Sequence, residues 1–173
     1  CISVDGNYMV GDTGWHPDTA TLDYKAVKFC IYPDPLTRDD GALRVIPGSH
    51  HHRLTKCLGP LWRQNDDPNY LAFGLKGEDI PSVSLETELG DLVVFTESVY
   101  HASFGSKTPR LLVTVQYAAK PTTEDQIAKM RECYEQHTWS YHPAESFIHS
   151  DRSRLRGMVS QMVELGLTTP KLV

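Results

Sequence analysis

The first two thirds of the chain alternate between hydrophobic and polar residues in short runs that are separated by turn residues. In the segment YKAVKFCIY, residues 24–32, Val27, Phe29 and Ile31 fall on one side of an extended chain, and the intervening positions fall on the other. Successive side chains of a strand point to opposite faces, so this pattern predicts a strand with two differently used faces. Comparable signals predict strands at 43–46, 83–85, 90–95 and 110–118.

The last third of the chain has its apolar residues at helical spacing. After Pro121, Thr122 or Thr123 can cap a helix, because the free amides of a first helical turn need an oxygen acceptor. A second helix is predicted over 151–165. The apolar stripes of both helices indicate packing against a core.

Residues 49–82, which lie between predicted strands, are polar and irregular. A short helix is expected near 66–73, and we interpret the segment as an insertion rather than a core element. It begins close to three consecutive histidines, His50, His51 and His52. Consecutive residues diverge in direction, so one metal ion cannot easily use all three, and a structural or pocket-rim role is favoured.

Length and composition limit the classes of protein to which the chain can belong. Its 173 residues predict a single domain, with a strand-rich core over about 8–119 and a helical part over about 122–173. It is 40% hydrophobic and 23% charged, with a net charge of −5 and no long basic run. These values favour a globular protein that acts on small molecules or binds other proteins, and they argue against a nucleic-acid partner.

The apolar stretches, the N-terminus and the cysteine spacing predict the location of the protein and the redox state of its cysteines. No apolar stretch approaches the roughly 20 residues of a membrane span, and the N-terminus does not resemble a signal peptide, so a cytoplasmic protein without membrane contact is expected. The four cysteines form no CxxC pair, which favours free thiols. The first residue is Cys1, and we expect the chain to be a fragment of a longer one.

Two His-x-Asp triplets are candidates for metal ligands, although about one His-x-acid triplet is expected by chance in a chain of this composition. In a strand, His16 and Asp18 would point to the same side and could hold one ion. Asp151, by contrast, is expected to cap the second helix, and His149 has no later histidine to complete a site. We therefore interpret only the first triplet as a ligand pair.

A third ligand is available in ESVYHASFG, where His101 follows an apolar strand. Two histidines and one carboxylate form the facial triad of non-haem Fe(II) oxygenases, but the same ligands can hold zinc in a hydrolase. Arg110, which opens the next strand, favours the first alternative, because a guanidinium can bind a carboxylate through two parallel hydrogen bonds. A surface salt bridge is the other interpretation of Arg110.

Four features occur in a fixed order: WHPD, DDGALRVIPGSH, GDLVVFTESVYHASFG and the strand that begins at Arg110. This ordered set resembles the phytanoyl-CoA dioxygenase (PhyH-like) family of Fe(II)/2-oxoglutarate-dependent oxygenases, from about residue 11 to residue 119. The resemblance implies a mainly β fold, a double-stranded β-helix or cupin-like jelly roll, with the C-terminal helices packed outside. Family members have substantial sequence before the His-x-Asp strand, so the N-terminal part of the family fold is expected to be missing.

The resemblance also implies roles for individual residues. His16, Asp18 and His101 match the iron ligands, and Arg110 matches the residue that binds the distal carboxylate of 2-oxoglutarate. Ser103 matches the serine that assists this arginine, although a bond to local backbone is an equal alternative. The strand face that carries Cys30 matches positions that line the cosubstrate pocket.

A protein of this family would use Fe(II), 2-oxoglutarate and O2 to hydroxylate an unactivated C–H bond of a small molecule, releasing succinate and CO2. Asp18 favours hydroxylation over halogenation, because halogenase relatives lack this carboxylate. Two other functions stay open: a zinc-dependent jelly-roll hydrolase and a non-catalytic relative that acts as a binding domain. The sequence does not indicate an oligomeric state.

Overall fold

Eight antiparallel strands form two sheets in the computed structural model, which describes residues 2–19, 25–67, 69–136 and 143–168. The first sheet has the order β1-β8-β3-β6 and contains β1 (Ile2–Met9), β3 (Ala26–Ile31), β6 (Leu92–Thr96) and β8 (Arg110–Ala118). The second has the order β2-β7-β4-β5 and contains β2 (Thr13–His16), β4 (Leu43–Val45), β5 (Val83–Leu85) and β7 (His101–Ser103). Most consecutive strands cross between the sheets, which is the arrangement of a jelly roll and confirms the predicted fold class.

Most strands agree with the alternation in the sequence, but β1 and the short strand β7 were not among the predicted ones. β3, β4, β5, β6 and β8 lie where strands are predicted. β1 was not predicted, and the sheet starts before residue 8, where the sequence pattern placed the beginning of the core. β1 pairs with β8 along its whole length, from Ile2 opposite Tyr117 to Met9 opposite Arg110. Long-range pairing with an apolar strand therefore produces β1 despite the turn-forming residues Asp5, Gly6 and Asn7.

One hydrophobic core lies between the two sheets. It contains inward residues of both sheets and of the loop after β3, and its fully buried members are Cys30, Tyr32, Leu36, Ala42, Leu43, Val93 and Phe95. Cys30 and Tyr32 continue the inward face of β3, whereas Val27 and Ile31 are exposed on the opposite face. The two-faced strand predicted at 24–32 is confirmed.

A second core lies on the outer side of the β2-β7-β4-β5 sheet, under residues 54–80. Helices α1 (His52–Cys57) and α2 (Pro60–Asp66) occupy part of this segment, and Leu61 and Ala72 are completely buried. The segment covers outward aromatic residues of the sheet, including Trp15, Tyr100 and Phe104. The interpretation of residues 49–82 as an insertion outside the core is therefore wrong, and so is the helix expected near 66–73.

The C-terminal part of the chain is helical, as predicted. Helices α3 (Glu124–Gln136) and α5 (Ser153–Glu164) share a cluster that contains Met130 and Met162, and the short helix α4 (Glu145–Ile148) lies between them in sequence. The Thr123 hydroxyl accepts a hydrogen bond from the Gln126 amide at 3.3 Å, so Thr123 caps α3. None of the described helices is long and apolar enough to cross a bilayer.

The predicted cap of the last helix is wrong. Arg152, not Asp151, occupies the N-cap position of α5, and it makes no side-chain capping bond. The Ser150 hydroxyl instead accepts a hydrogen bond from the Arg152 amide at 3.2 Å. Asp151 is an exposed residue one position before the helix cap.

Arg44 joins the second sheet to the loops that cover it. Its guanidinium donates hydrogen bonds to the carbonyl oxygens of Glu78 at 2.7 Å and Arg38 at 3.0 Å, and it lies 5.2 Å from the centroid of the Phe104 ring. The residue is only 4% exposed. A buried cation that is bonded to two carbonyls and stacked on an aromatic ring holds these loops to the sheet.

We expect Arg44→Met to lower the free energy of unfolding by about 2–4 kcal/mol, because two buried carbonyl groups lose their donor. Urea denaturation followed by circular dichroism measures this change. Arg53→Met is the matched control, since Arg53 is exposed, and its effect should stay within about 0.5 kcal/mol. Equal stability of Arg44→Met and the wild type would contradict the assignment.

Candidate metal centre

His16, Asp18 and His101 lie together at one end of the space between the sheets. Each offers one ligand atom, and these three atoms lie within 4.8 Å of one another. His16 Nε2 is 3.8 Å from Asp18 Oδ1, and His101 Nε2 is 3.6 Å from Asp18 Oδ2. Within the described part of the chain, this is the only cluster of three or more His, Cys, Asp or Glu side chains that could hold a metal ion.

The pairing of β2 with β7 brings the two histidines together. His16, the last residue of β2, is directly opposite His101, the first residue of β7, and their ring centroids are 4.5 Å apart. Asp18 does not lie in the strand with His16, as the sequence analysis assumed, because β2 ends at His16. The Asp18 amide instead donates to the Glu97 carbonyl at 2.8 Å, which directs the carboxylate towards the histidines.

Backbone carbonyls set the tautomer of both imidazoles. Nδ1 of His16 lies 2.8 Å from the Gly14 oxygen, and Nδ1 of His101 lies 2.9 Å from the Val99 oxygen. A carbonyl can only accept, so each Nδ1 carries the proton and each Nε2 keeps a free lone pair. Burial lowers the pKa of His101 to about 4, which keeps this imidazole neutral.

The Asp18 carboxylate is charged and lies among three cationic or polar nitrogens. Burial alone would raise the pKa of Asp18, but the two histidines and Lys28 together lower it below its usual value. Lys28 Nζ lies 2.7 Å from Oδ2, which is closer than His101 Nε2 at 3.6 Å. The ammonium is therefore the nearest of these partners to the buried Oδ2.

These donors fit a divalent transition metal. Two neutral imidazole nitrogens and one carboxylate oxygen are a facial ligand set with open positions, which suits non-haem Fe(II). The Asp18 carboxylate and the two Nε2 lone pairs could each form a bond to the ion. The same three donors with one water would also satisfy tetrahedral zinc.

Arg110 and Ser103 form a second polar group inside the jelly roll. Arg110, the first residue of β8, donates to the Ser103 hydroxyl at 2.7 Å and to the Gly11 carbonyl at 3.4 Å. Arg110 is 5% exposed and Ser103 is 4% exposed. Gly41, with φ of +85°, makes room for the arginine, because a Cβ atom there would lie 2.8 Å from the Arg110 guanidinium.

The inward face of β3 connects these two groups. Lys28 contacts Asp18 at one end. Tyr32 lies near Arg110 at the other: burial raises the pKa of its hydroxyl, and the arginine charge acts against this shift. Cys30 lies between them and is buried. Residues on the inward face of β3 therefore lie between the candidate metal ligands and the buried arginine.

A family model named phytanoyl-CoA dioxygenase (PhyH) matches residues 7–111, which is more than half of the chain. The chain belongs to the phytanoyl-CoA dioxygenase family. This confirms the resemblance seen in the ordered motifs, and the match contains all of the candidate site residues from His16 to Arg110. A search of curated protein sequences finds no significant match.

Several solved structures are similar to this family member at low identity. EvdO2 from Micromonospora carbonacea var. aurantiaca, complexed with 2-oxoglutarate, is 20% identical, with 70% of this chain and 53% of that chain covered and a TM-score of 0.45. EctD from S. alaskensis, with 2-oxoglutarate and 5-hydroxyectoine, is 21% identical over 66% and 44%, with a TM-score of 0.44. HygX from Streptomyces hygroscopicus, with nickel and 2-oxoglutarate, is 18% identical over 70% and 53%, with a TM-score of 0.42. The chain spans about half of the length of these solved structures, or less.

The other histidines that the structure describes do not join the candidate centre of this PhyH-family chain. His149 pairs with the exposed Glu145 at 3.0 Å, and no metal-binding cluster among the described residues includes it or Asp151. His50 and His51 are exposed, with ring centroids 4.0 Å apart, and they too belong to no such cluster in the described chain. Of the two His-x-Asp triplets, only the first therefore lies in a candidate cluster of the described residues.

Two residues near the centre were not singled out from the sequence. Lys28 was noted only as part of a strand face, and its contact with Asp18 depends on how β3 lies beside the end of β2. Trp62 lies on α2 with its ring centroid 6.4 Å from that of His16, and it is 45% exposed. Pro60 at the first turn of α2 is a helix-start signal that could have located this helix.

Cysteine reactivity tests the burial of the β3 face. Burial raises the pKa of the Cys30 thiol to about 11, whereas Cys57 is exposed. The thiolate is the reactive form, so iodoacetamide at neutral pH should alkylate Cys57 at least about 100-fold faster than Cys30. Mass spectrometry of the two cysteine peptides measures both rates. Cys30 should react as fast as Cys57 only after denaturation, and equal rates in the native protein would contradict the placement of Cys30. Cys1 and the side chain of Cys133 are not among the parts of the chain that the structure describes.

Proposed function

We propose that the protein is an Fe(II)- and 2-oxoglutarate-dependent dioxygenase that hydroxylates an unactivated C–H bond of a small molecule and releases succinate and CO2. The observation that carries this proposal is the placement of two groups in one jelly roll: the His16, Asp18 and His101 cluster and the buried Arg110. Membership of the phytanoyl-CoA dioxygenase family supports the same reaction class.

His16, Asp18 and His101 would hold the iron through two Nε2 atoms and a carboxylate oxygen. When bound, the metal supplies the capacity to activate O2 at the expense of a 2-oxo acid. The Gly14 and Val99 carbonyls orient both imidazoles, and burial keeps His101 neutral, so no proton has to leave His101 at neutral pH. The ligands are thus prepared for a metal before it arrives.

Arg110 would bind the distal carboxylate of 2-oxoglutarate. A guanidinium presents parallel N–H donors to a carboxylate, and its burial strengthens the interaction. The Ser103 hydroxyl accepts one N–H of Arg110 at 2.7 Å, which restrains the guanidinium and leaves the Ser103 proton free to donate to the ligand. Among the described residues no acidic side chain forms an ion pair with Arg110, and a buried arginine of this kind is costly unless a ligand supplies the negative charge.

The burial of the ligands indicates where a substrate would approach. The His101 side chain is 6% exposed and that of Asp18 is 15% exposed, whereas His16 is 26% exposed. The open side of the centre therefore lies next to His16. Most of the centre is shielded from water, which suits an enzyme that must protect a strong oxidant.

The buried Arg110 and Ser103 pair favours the oxygenase over a zinc hydrolase. A hydrolase could use the same three metal ligands, but it would not need a carboxylate-binding arginine inside the jelly roll. A non-catalytic relative would not bind 2-oxoglutarate even with iron supplied.

Anaerobic addition of Fe(II) and 2-oxoglutarate should produce a visible metal-to-ligand charge-transfer band in the wild type. His101→Ala should abolish this band, because the variant loses one of the two nitrogen ligands. His51→Ala is the matched control, since His51 is exposed and lies outside the cluster, and it should keep the band. A wild type that shows no band, or a His101→Ala variant that keeps it, would overturn the proposal.

Arg110→Met should weaken 2-oxoglutarate binding by about 100-fold, because the distal carboxylate loses a charged, buried partner. Equilibrium titration of the Co(II)-loaded protein measures this affinity. The comparison ligand is 2-oxopentanoate, which lacks the distal carboxylate and should bind the variant and the wild type about equally. If the variant loses affinity for both ligands to the same extent, Arg110 supports the fold rather than the distal carboxylate.

A further inference from the structure

Lys28 is a charge in the candidate centre that metal binding and Arg110 do not explain. Its side chain is 14% exposed on the inward face of β3, and its Nζ lies 2.7 Å from Asp18 Oδ2. The same oxygen faces His101 Nε2 at 3.6 Å. A lysine ammonium is therefore directed at the carboxylate that would also bind the metal.

The contact between Lys28 and Asp18 is favourable in the metal-free centre, but the Lys28 charge would oppose a bound metal ion. In the metal-free protein, Lys28 neutralises Asp18 at short range. A divalent cation bound to Asp18 would share this carboxylate with the ammonium, and the two cations would repel each other in a partly desolvated site. The metal-loaded centre then has an excess of positive charge, which an incoming carboxylate would offset.

The ammonium can change partners without leaving the site. It has three N–H donors, so it can contact Asp18 Oδ2 and still donate to a second carboxylate beside it. Lysine is a flexible point charge, which suits movement between two carboxylates. Asp18 and the carboxylate of a bound 2-oxo acid are the two partners in question.

We propose that Lys28 couples metal binding to 2-oxo-acid binding: it opposes binding of the metal alone and favours the complex that contains both. This inference rests on the proposed function, because it requires a 2-oxo acid beside the metal. Thermodynamic linkage makes the effect reciprocal, so the metal and the 2-oxo acid each raise the affinity of the other by the same factor.

A purely structural role for Lys28 predicts a different result. The coupling factor is the factor by which the 2-oxo acid raises the affinity for the metal. If the ammonium only orients Asp18, then its removal weakens binding of the metal alone and leaves this factor unchanged. If it couples the two ligands, its removal leaves binding of the metal alone as strong or makes it stronger, and the coupling factor falls. The metal affinity without 2-oxo acid therefore distinguishes the two roles.

The test is an equilibrium titration with Co(II), which takes the same nitrogen and oxygen ligands as iron and is followed by its visible absorption. Each protein is titrated without 2-oxoglutarate and with a saturating concentration, and the ratio of the two Co(II) dissociation constants is the coupling factor. The variants are Lys28→Met, which keeps the length of the side chain, and Lys28→Arg, which keeps the charge. Lys76→Met is the matched control, because it removes a lysine charge from a side chain that is 71% exposed.

We expect Lys28→Met to bind Co(II) alone at least as tightly as the wild type and to show a coupling factor about tenfold smaller. Lys28→Arg should retain most of the coupling, and Lys76→Met should match the wild type. Circular dichroism of each variant checks that the fold is intact.

Weaker binding of Co(II) alone by Lys28→Met, with an unchanged coupling factor, would overturn the inference, as would a Lys28→Arg variant that loses as much coupling as Lys28→Met. Failure of the proposed function gives a different result: the wild type itself would then show no effect of 2-oxoglutarate on its Co(II) affinity. If the wild type shows strong coupling and Lys28→Met shows the same coupling, the role of Lys28 is contradicted and the proposed function is not.

Discussion

The antiparallel pairing of β2 with β7 is the constraint on which the candidate centre depends. It sets His16 directly opposite His101, although 85 residues separate them in the chain. A shift of this register by one residue would turn one imidazole to the outer face of the sheet, because strand side chains alternate between faces. Asp18 then needs only the turn after His16 and one hydrogen bond to the Glu97 carbonyl to reach the same point.

The alternation that directs the ligands inwards also anchors their strands from outside. Trp15 precedes His16 and Tyr100 precedes His101, and both aromatic side chains are buried under the segment that carries α1 and α2. The Trp15 indole donates to the Gly77 carbonyl at 2.8 Å, which fixes β2 to this covering segment. Packing on one face of the sheet thus restrains the candidate ligands on the other, so the segment that carries α1 and α2 supports the site.

Charged side chains lie at two places inside the jelly roll. Lys28 and Asp18 lie beside the histidines, and Arg110 lies further along the inward face of β3. Among these three side chains, the two positive charges exceed the one negative charge. Such a group favours binding of a small anion. These charges therefore agree with a dicarboxylate cosubstrate.

The sequence by itself determined the local features: β8 over its whole length, the two faces of β3, a threonine cap at the start of α3 and the ordered motifs that mark the family. Alternation, capping and motif order are encoded by near neighbours, so they can be read without a structure. Only the tertiary structure decided that β1 is a strand and that residues 54–80 form a second core. It also decided that Lys28 meets Asp18, because such contacts depend on strand register and on chain segments that are distant in sequence.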